Sequence, residues 1–463
     1  MKHSLCILFT ALLIFSGTAT AAEVVTLDRY LEIVKSGNYD LEANIRSIEA
    51  AYYGVLASVG YQRPALSAGI GGSYLTGQKA SVQGIREKNI TSSNLDLVLS
   101  WRINLGKSYA LDEQQQILSW EIERARFDDS INTLLATAEK TWWTAVLARE
   151  NIALQKDVLR QRVENNRVTE EKYKQQMVPR LDLIRSEAQV VEAESLVSRA
   201  ESQYRNLLKT MAGLAGGIDV APAEEPLTVP ELNVTVDIEG AFLSRPAVNI
   251  ERLTLERNRI LKKLTSQGLS PTLNAEISWR PILDPWNSGT PQEGEAVASL
   301  RLNIPITDGN ETKYRVLNTD RLILAAEATL KSAENATRTE LEIALNNWED
   351  AAVLEKDKKR QVERSDEELE ITNMIYNEGL GAQIDLINAQ TENQRVRTEY
   401  LNAVKEMYIA LVEIGKTIGD YAPDGDGNWK EAALRYGRGD KIADIVSSPE
   451  NSPKGTERLP ATH

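Results

Sequence analysis

Two segments of the chain place a tyrosine and an aspartate at the same spacing in similar surroundings. Tyr173 precedes Asp182 in YKQQMVPRLDLI, and Tyr376 precedes Asp385 in YNEGLGAQIDLI. An aspartate just after a turn caps the helix that begins there, because its charge offsets the positive end of the helix dipole. A tyrosine at the end of the preceding helix packs against its neighbours. These residues can serve the fold alone, and a ring of such carboxylates in an assembly can also line a pore.

Residue types that carry catalysis or bind soft metals are scarce. Histidine occurs at His3 and His463, and cysteine occurs at Cys6. The sequence contains neither a glycine-rich phosphate loop nor a nucleophile elbow. Its many carboxylates fall in segments that read as exposed helices. We therefore expect no enzymatic activity, no metal and no cofactor.

The start of the chain, at 1–22, has the layout of a secretory signal peptide. Lys2 is followed by an apolar run and then by small residues that end at Ala22. We expect this segment to be removed on export, which leaves no cysteine for a disulfide. The net charge of -14 argues against nucleic acid as a partner. Beyond the signal peptide, no apolar run is long enough for a membrane-spanning helix, so entry into a bilayer would require strands.

Helix breakers are distributed so as to predict very long helices. Proline is absent between Pro64 and Pro179, and glycine is absent from Lys107 to Met211. We predict long helices at about 108–175 and 311–377, each roughly 100 Å in length at ~1.5 Å per residue. Such rods require lengthwise packing as antiparallel coiled coils. Shorter helices are predicted at about 40–59, 179–211, 246–267 and 383–415.

Between these helices lie two predicted β-hairpins, at 64–105 and 271–306. Apolar residues alternate with polar ones in both, as a strand with one lipid-facing side and one water-facing side requires. Tyr74, Trp101 and Trp279 lie near strand ends, where interfacial aromatic residues occur. A pair of half-buried hairpins on a soluble sheet gives the same alternation and stays open at this point.

The whole pattern occurs twice. We predict a first repeat at 23–213 with its tip near 177–182, and a second at 246–419 with its tip near 379–385. A linker at 214–245 joins them, and an exit segment with a disordered tail occupies 420–463. Four strands cannot close a barrel, and open strand edges in hydrocarbon leave backbone groups unpaired. The missing strands must therefore come from other copies of the chain.

The duplicated order of strand, strand, long helix and short helix, together with the two tip motifs, resembles the TolC family. Its members are outer-membrane channels of bacterial efflux pumps and type I secretion systems. The resemblance implies a mainly α fold with a small membrane β-barrel part. It also implies a homotrimer that combines a 12-stranded barrel in outer-membrane lipid with a long helical tunnel across the periplasm.

By the same resemblance, the two tips form the periplasmic end of the tunnel, contact an adaptor protein and narrow to a gate. Asp385 matches an acidic ring position at the aperture, and Asn388 occupies the second ring position. Tyr376 and Asp182 match the partners of a lock that holds the gate shut. Gly381 stands in place of the lock's arginine, and Gln176 in place of the first tip's glycine. The adaptor-contacting residues are Met177, Val178, Pro179, Gly379, Leu380 and Gly381.

The predicted function is a passive exit duct in the outer membrane. Its partners would be a periplasmic adaptor and an inner-membrane pump, which supplies the energy for efflux or type I secretion. The alternative is a soluble periplasmic coiled-coil adaptor or scaffold that never enters lipid. The sequence does not identify the transported substrate.

Overall fold

The protein is described by a computed structural model that covers residues 23–80, 86–224, 227–230, 245–280, 282–283 and 295–422. The predicted signal peptide at 1–22 and the predicted tail beyond residue 422 lie outside these residues. So does much of the predicted linker.

Helices make up most of the described chain, and the two longest have 67 residues each. The helices are α1 (Leu27–Gly37), α2 (Tyr39–Gly60), α3 (Ser108–Lys174), α4 (Arg180–Leu214), α5 (Pro246–Thr265), α6 (Glu311–Asn377) and α7 (Gln383–Ile418). The long glycine-free and proline-free stretches account for α3 and α6, because neither residue interrupts their backbone hydrogen bonding. None of the described helices combines the length and apolar character needed to cross a membrane.

Strands occur in two separate sheets. They are β1 (Glu23–Val25), β2 (Ala65–Ala80), β3 (Arg86–Asn104), β4 (Val220–Pro222), β5 (Thr272–Arg280), β6 (Ile282–Leu283) and β7 (Glu295–Asn303). β1 and β4 form a two-stranded parallel sheet. The larger sheet is antiparallel in the order β2-β3-β5-β7, and β6 adds to β3.

The register of the larger sheet places apolar residues opposite one another. Leu99 faces Leu66 on β2 and Ile277 on β5, and Ala275 faces Leu300 on β7. Because side chains alternate between faces, this register collects the apolar residues on one side. That side is exposed: Ile70 is 89% accessible, and Leu300 is 71% accessible. An exposed apolar surface of this kind marks a contact with lipid or another chain.

Backbone conformations recur at equivalent positions of the two halves of the chain. Positive φ angles occur in three pairs of equal sequence separation, which are Lys107 and Asn310, Gln176 and Gly379, and Gly216 and Gly419. The order of helix, two main strands, long helix and shorter helix likewise occurs twice. The two halves therefore share one local architecture.

Contacts group the chain into two compact units. One contains the described parts of Met1–Tyr39, Leu134–Asn233 and Leu345–Glu413. Both helix tips lie in this unit. The other contains the described parts of Asp40–Thr133, Val234–Ala344 and Ile414–His463, and it holds the larger sheet.

In the first unit, aromatic side chains pack the long helices together. Trp143 of α3 stacks on Tyr408 of α7 with ring centroids 3.7 Å apart. Leu147 and Val404 are buried beside this pair, and Leu227 of the chain after β4 packs against them. Trp142 stacks on Tyr30 of α1, whose ring is fully buried. This packing is the lengthwise helix pairing that the sequence predicts.

The structure differs from the sequence-based expectations in two respects. Strands β2 and β3 have 16 and 19 residues, so they continue beyond the alternation of apolar and polar residues on which the prediction was based. Lys79 pairs with Glu87 in the backbone register there, because antiparallel backbone pairing does not require apolar residues. Helix α1 and the β1–β4 pair were not predicted, since both are short.

Candidate functional site at the helix tips

Both tips use the same backbone motif to end a long helix. At the first tip, the Met177 amide donates to the Lys172 carbonyl; at the second, the Leu380 amide donates to the Ile375 carbonyl. These bonds close around one residue with positive φ, which defines a Schellman motif. That residue is Gln176 with φ of 59° and Gly379 with φ of 78°. Glycine adopts this conformation without steric cost, whereas glutamine is strained there.

The predicted adaptor-contacting residues lie at these two turns. Met177 and Leu380 are exposed, with 63% and 78% of their surfaces accessible. Gly381 is sterically restricted, because a Cβ atom at this position would lie 2.9 Å from Cγ2 of Ile375. A larger residue at 381 therefore requires movement of the Ile375 side chain. Val178 and Pro179 complete the first turn, and Pro179 directly precedes α4.

The two predicted gate aspartates both lie in the first turn of a helix. The Asp182 amide donates to the Pro179 carbonyl, and the Asp385 amide donates to the Ala382 carbonyl. Asp182 is half-buried, with its carboxylate 3.7 Å from the Arg185 guanidinium. Asp385 is exposed, as is Asn388 one turn later. The positions favour interaction with the helix dipole and leave the Asp385 carboxylate accessible to ions.

The two tip tyrosines differ sharply in environment. Tyr173 is 37% accessible, whereas Tyr376 is 3% accessible. The Tyr376 hydroxyl forms a hydrogen bond of 3.0 Å with the Thr169 hydroxyl of α3. The structure thus gives Tyr376 and Asp182 different partners, Thr169 and Arg185, and does not join the two by a hydrogen bond.

A lysine completes the contact between α3 and the second tip. The Lys172 ammonium donates to the Tyr376 carbonyl over 2.7 Å and lies 3.9 Å from the centre of the Tyr376 ring. Partial burial lowers the pKa of the Lys172 ammonium from its usual value, because leaving water disfavours the charged form. The carbonyl and the ring face compensate part of that loss. The Gln383 amide of α7 donates to the Thr169 hydroxyl over 3.3 Å.

Thr169 belongs to a polar seam between α3 and α7, which we define as Gln155, Arg162 and Thr169 with their α7 partners. Arg162 is buried and donates to Gln390 over 2.8 Å and to Thr391 over 3.0 Å. Burial lowers the pKa of its guanidinium, and Glu192 opposes that effect. The amide of Gln394 donates to Gln155 over 2.7 Å.

Sequence reasoning missed Thr169, Lys172, Gln383 and the rest of the seam. A signal was present for Thr169, because Gln155, Arg162 and Thr169 recur at the heptad spacing, whereas Lys172 and Gln383 stand outside that series. That spacing keeps side chains on one face of a coiled-coil helix. Polar residues on an otherwise apolar helix face fix the register of the pair, at a cost in stability.

The predicted membrane-interface aromatics lie on the larger sheet. Trp101 and Trp279 are 44% and 45% accessible. The Trp101 indole donates to the Gln62 carbonyl over 2.9 Å, and Trp279 pairs with Leu97 in the sheet register. Tyr74 lies in β2 opposite Thr91. Within the described residues, no group of three or more His, Cys, Asp or Glu side chains is arranged to hold a metal ion.

Solved structures of outer-membrane channels share this fold. The Campylobacter jejuni CmeC channel superposes with a TM-score of 0.78 at 14% sequence identity, covering 88% of this chain and 89% of that one. The Neisseria gonorrhoeae MtrE channel in its open state gives a TM-score of 0.71 at 18% identity, covering 85% and 88%. The fold is therefore that of the outer-membrane channel proteins.

Sequence comparison indicates the same class. Residues 243–420 match the family model described as "Outer membrane efflux protein". Nodulation protein T of Rhizobium leguminosarum bv. trifolii is 22% identical over 430 residues, which cover 88% of this chain and 89% of that protein. These findings confirm the resemblance to the TolC family of outer-membrane efflux channels.

Proposed function

We propose that the chain is one subunit of a passive exit duct in the outer membrane. The observation that carries this proposal is the exposed apolar face of the larger sheet, in a chain with the fold of outer-membrane channels. Lipid is the natural partner of such a face, because it removes the apolar side chains from water. We propose that Tyr74, Trp101 and Trp279 lie at the membrane interfaces.

The duct is a homotrimer in this proposal. Among the described strands, β2 pairs only with β3, and β7 pairs only with β5. Their free edges would leave backbone N–H and C=O groups unpaired in hydrocarbon, at several kcal/mol each. Joining β2 of one copy to β7 of the next satisfies these groups. Three copies then supply 12 main strands to one closed barrel.

The helices form the periplasmic part of the duct in this proposal, and the two tips form its far end. The exposed side chains at the turns, including Met177 and Leu380, provide the surface for a periplasmic adaptor. The adaptor connects the duct to an inner-membrane pump, which supplies the energy for efflux or type I secretion. The exposed carboxylate of Asp385 lines the aperture with Asn388, while Asp182 and Tyr376 restrain the gate.

The recurrence of positive φ at equally separated positions, such as Gln176 and Gly379, supports two tandem repeats at 23–213 and 246–419. In this proposal, each repeat supplies two strands to the barrel and one tip to the gate. The equivalent turns at Gln176 and Gly379 therefore lie at the same end of the duct.

Membrane fractionation with chemical cross-linking tests the proposal. We expect the full-length protein in the outer-membrane fraction, where cross-linking gives a trimer that resists extraction with carbonate. A soluble monomer in the periplasmic extract would contradict the duct and support the alternative of a coiled-coil adaptor. Tagging the protein and identifying the inner-membrane components that co-purify with it would then identify the pump.

A further inference from the structure

We propose that Lys172, Thr169 and Gln383 form a latch that holds the second tip against α3 when the gate is closed. This inference rests on the proposed function, because it assigns the residues that restrain the gate. It differs from the expected lock in two ways: the cation comes from α3, and the Tyr376 hydroxyl is held by a threonine instead of Asp182.

Lys172 fits the role of the cation by its position at the end of α6. Its ammonium donates to the Tyr376 carbonyl over 2.7 Å, one residue before α6 ends at Asn377. The last turn of a helix carries the negative end of the dipole, so a cation is favoured there. The Tyr376 carbonyl has two lone pairs and accepts from both the Gly379 amide and the Lys172 ammonium. The same ammonium lies over the Tyr376 ring. One side chain of α3 therefore holds both the backbone and the ring of the second tip.

Thr169 connects the same tip to the start of α7. Its hydroxyl forms hydrogen bonds with the Tyr376 hydroxyl and accepts from the Gln383 amide. Thr169 is fully buried, and Gln383 is 4% accessible. The end of α6 and the beginning of α7 are thus attached to α3 within two helical turns.

The contacts are suited to release because the Lys172 cation has no acidic partner. Among the described residues, no carboxylate lies within ion-pair distance of its ammonium, whose partners are a carbonyl and a ring. Separation of the second tip from α3 therefore leaves no buried carboxylate without a partner. Lys172 is also only partly buried, so water replaces its partners as the tip moves.

The latch is one-sided. The sequence offset that pairs Gln176 with Gly379 also pairs Lys172 with Ile375, and isoleucine offers no cation to the first tip. Tyr173, the equivalent of Tyr376, is exposed. Only the second tip is attached in this way, so only it should be released when the latch is removed.

Lys172→Met removes the charge while keeping an unbranched side chain. Lys174→Met is the matched control. Lys174 is two residues after Lys172 on the same helix, but it is exposed and its ammonium pairs with Glu170. The first measurement uses the full-length, detergent-solubilised trimer and a glutamate-specific protease. It follows cleavage after Glu378, an exposed residue at the turn of the second tip. We expect about tenfold faster cleavage in Lys172→Met than in wild type, the factor that loss of about 1.4 kcal/mol produces. Lys174→Met should cleave at the wild-type rate.

The second measurement is the open fraction of the same variants in planar bilayers. Lys172→Met should raise it about tenfold, by the same free-energy difference, and Lys172→Arg, which keeps the charge, should restore most of the wild-type value. Tyr376→Phe removes the hydrogen bond to Thr169, and Thr169→Val removes that bond together with the one from Gln383, so their double variant should show little more effect than Thr169→Val alone. Equal cleavage at Glu378 in Lys172→Met and Lys174→Met would overturn the latch. A wild-type protein that forms no channel would overturn the proposed function, and the protease result would still decide whether Lys172 holds the tip.

Discussion

The two helix tips share one backbone motif, yet their side chains differ in how they contact the neighbouring helix. The Schellman turns at Gln176 and Gly379 have the same hydrogen-bond pattern. The second tip buries Tyr376 and attaches it to Thr169 and Lys172, whereas Tyr173 of the first tip is exposed. The same backbone turn therefore does not imply the same side-chain environment. The backbone turn is the same in both tips, while the side chains attach only Tyr376 of the two tyrosines to α3.

The largest expected difference between the tips is the loss of stability when each tyrosine is replaced by alanine. Tyr376→Ala should lower the free energy of unfolding by about 3 to 5 kcal/mol, because it leaves a cavity and removes the Thr169 hydrogen bond. Tyr173→Ala should change it by about 0.5 kcal/mol or less, as exposed substitutions do. Urea unfolding of the solubilised protein measures both. Similar losses in the two variants would show that the tips are equivalent in packing.

A milder change at Tyr376 tests the gate. Tyr376→Phe keeps the ring and removes the hydroxyl, so the packing is retained while the bond to Thr169 is lost. We expect increased entry of large antibiotics into cells that carry this variant, measured by the minimum inhibitory concentration. Tyr173→Phe is the matched control and should leave susceptibility unchanged. If Tyr376→Phe cells are as resistant as wild type, Tyr376 is a packing residue only.

The turn residues should respond with opposite signs. Gln176→Gly relieves the strain of a positive φ and should stabilise the protein by about 1 kcal/mol. Gly379→Ala introduces that strain and should destabilise it by about 1 kcal/mol. The space around Gly379 is open, so the expected loss comes from the backbone alone. Thermal unfolding of both variants checks the signs. A destabilised Gln176→Gly variant would show that the Gln176 side chain is needed at the first tip.

Replacing either tip aspartate should have a small and similar effect on the free energy of unfolding. The two replacements should differ in their effect on ion binding. Asp182→Ala and Asp385→Ala should each cost about 0.3 to 1 kcal/mol, because each acid lies in the first turn of a helix. Asp385 is exposed and Asp182 is half-buried beside Arg185. Only Asp385→Ala should therefore weaken the block of conductance by divalent cations. Comparing cation titrations in planar bilayers separates the two. Unchanged block in Asp385→Ala would remove that residue from the aperture.

Much of the helical fold could be predicted from the sequence, because proline and glycine mark where the helices begin and end. The prediction of a helix at 311–377 coincides with α6, and the prediction at 108–175 ends one residue beyond α3. The two tip positions with positive φ could also be recognised from the sequence. One is Gly379, and the other is the matching position, where Gln176 replaces the glycine. The strands were harder, since β2 and β3 extend into polar segments where alternation is lost.

The role of Lys172 could not be assigned from the sequence for a physical reason. Lys172 and Lys174 are two positions apart on one helix, and both read as ordinary charged residues near its end. Only the packing of α6 and α7 against α3 decides that one faces the Tyr376 ring while the other pairs with Glu170. Long-range contacts between helices distinguish them, and no local pattern records those contacts.

Conductance of the purified protein in planar bilayers tests the central claim most directly. A duct built from copies of this chain should give discrete conductance steps, with a low open fraction in wild type and a higher one in Lys172→Met. Purified trimer that inserts into the bilayer without conducting in wild type or in any tip variant would contradict the assignment of the protein as a channel.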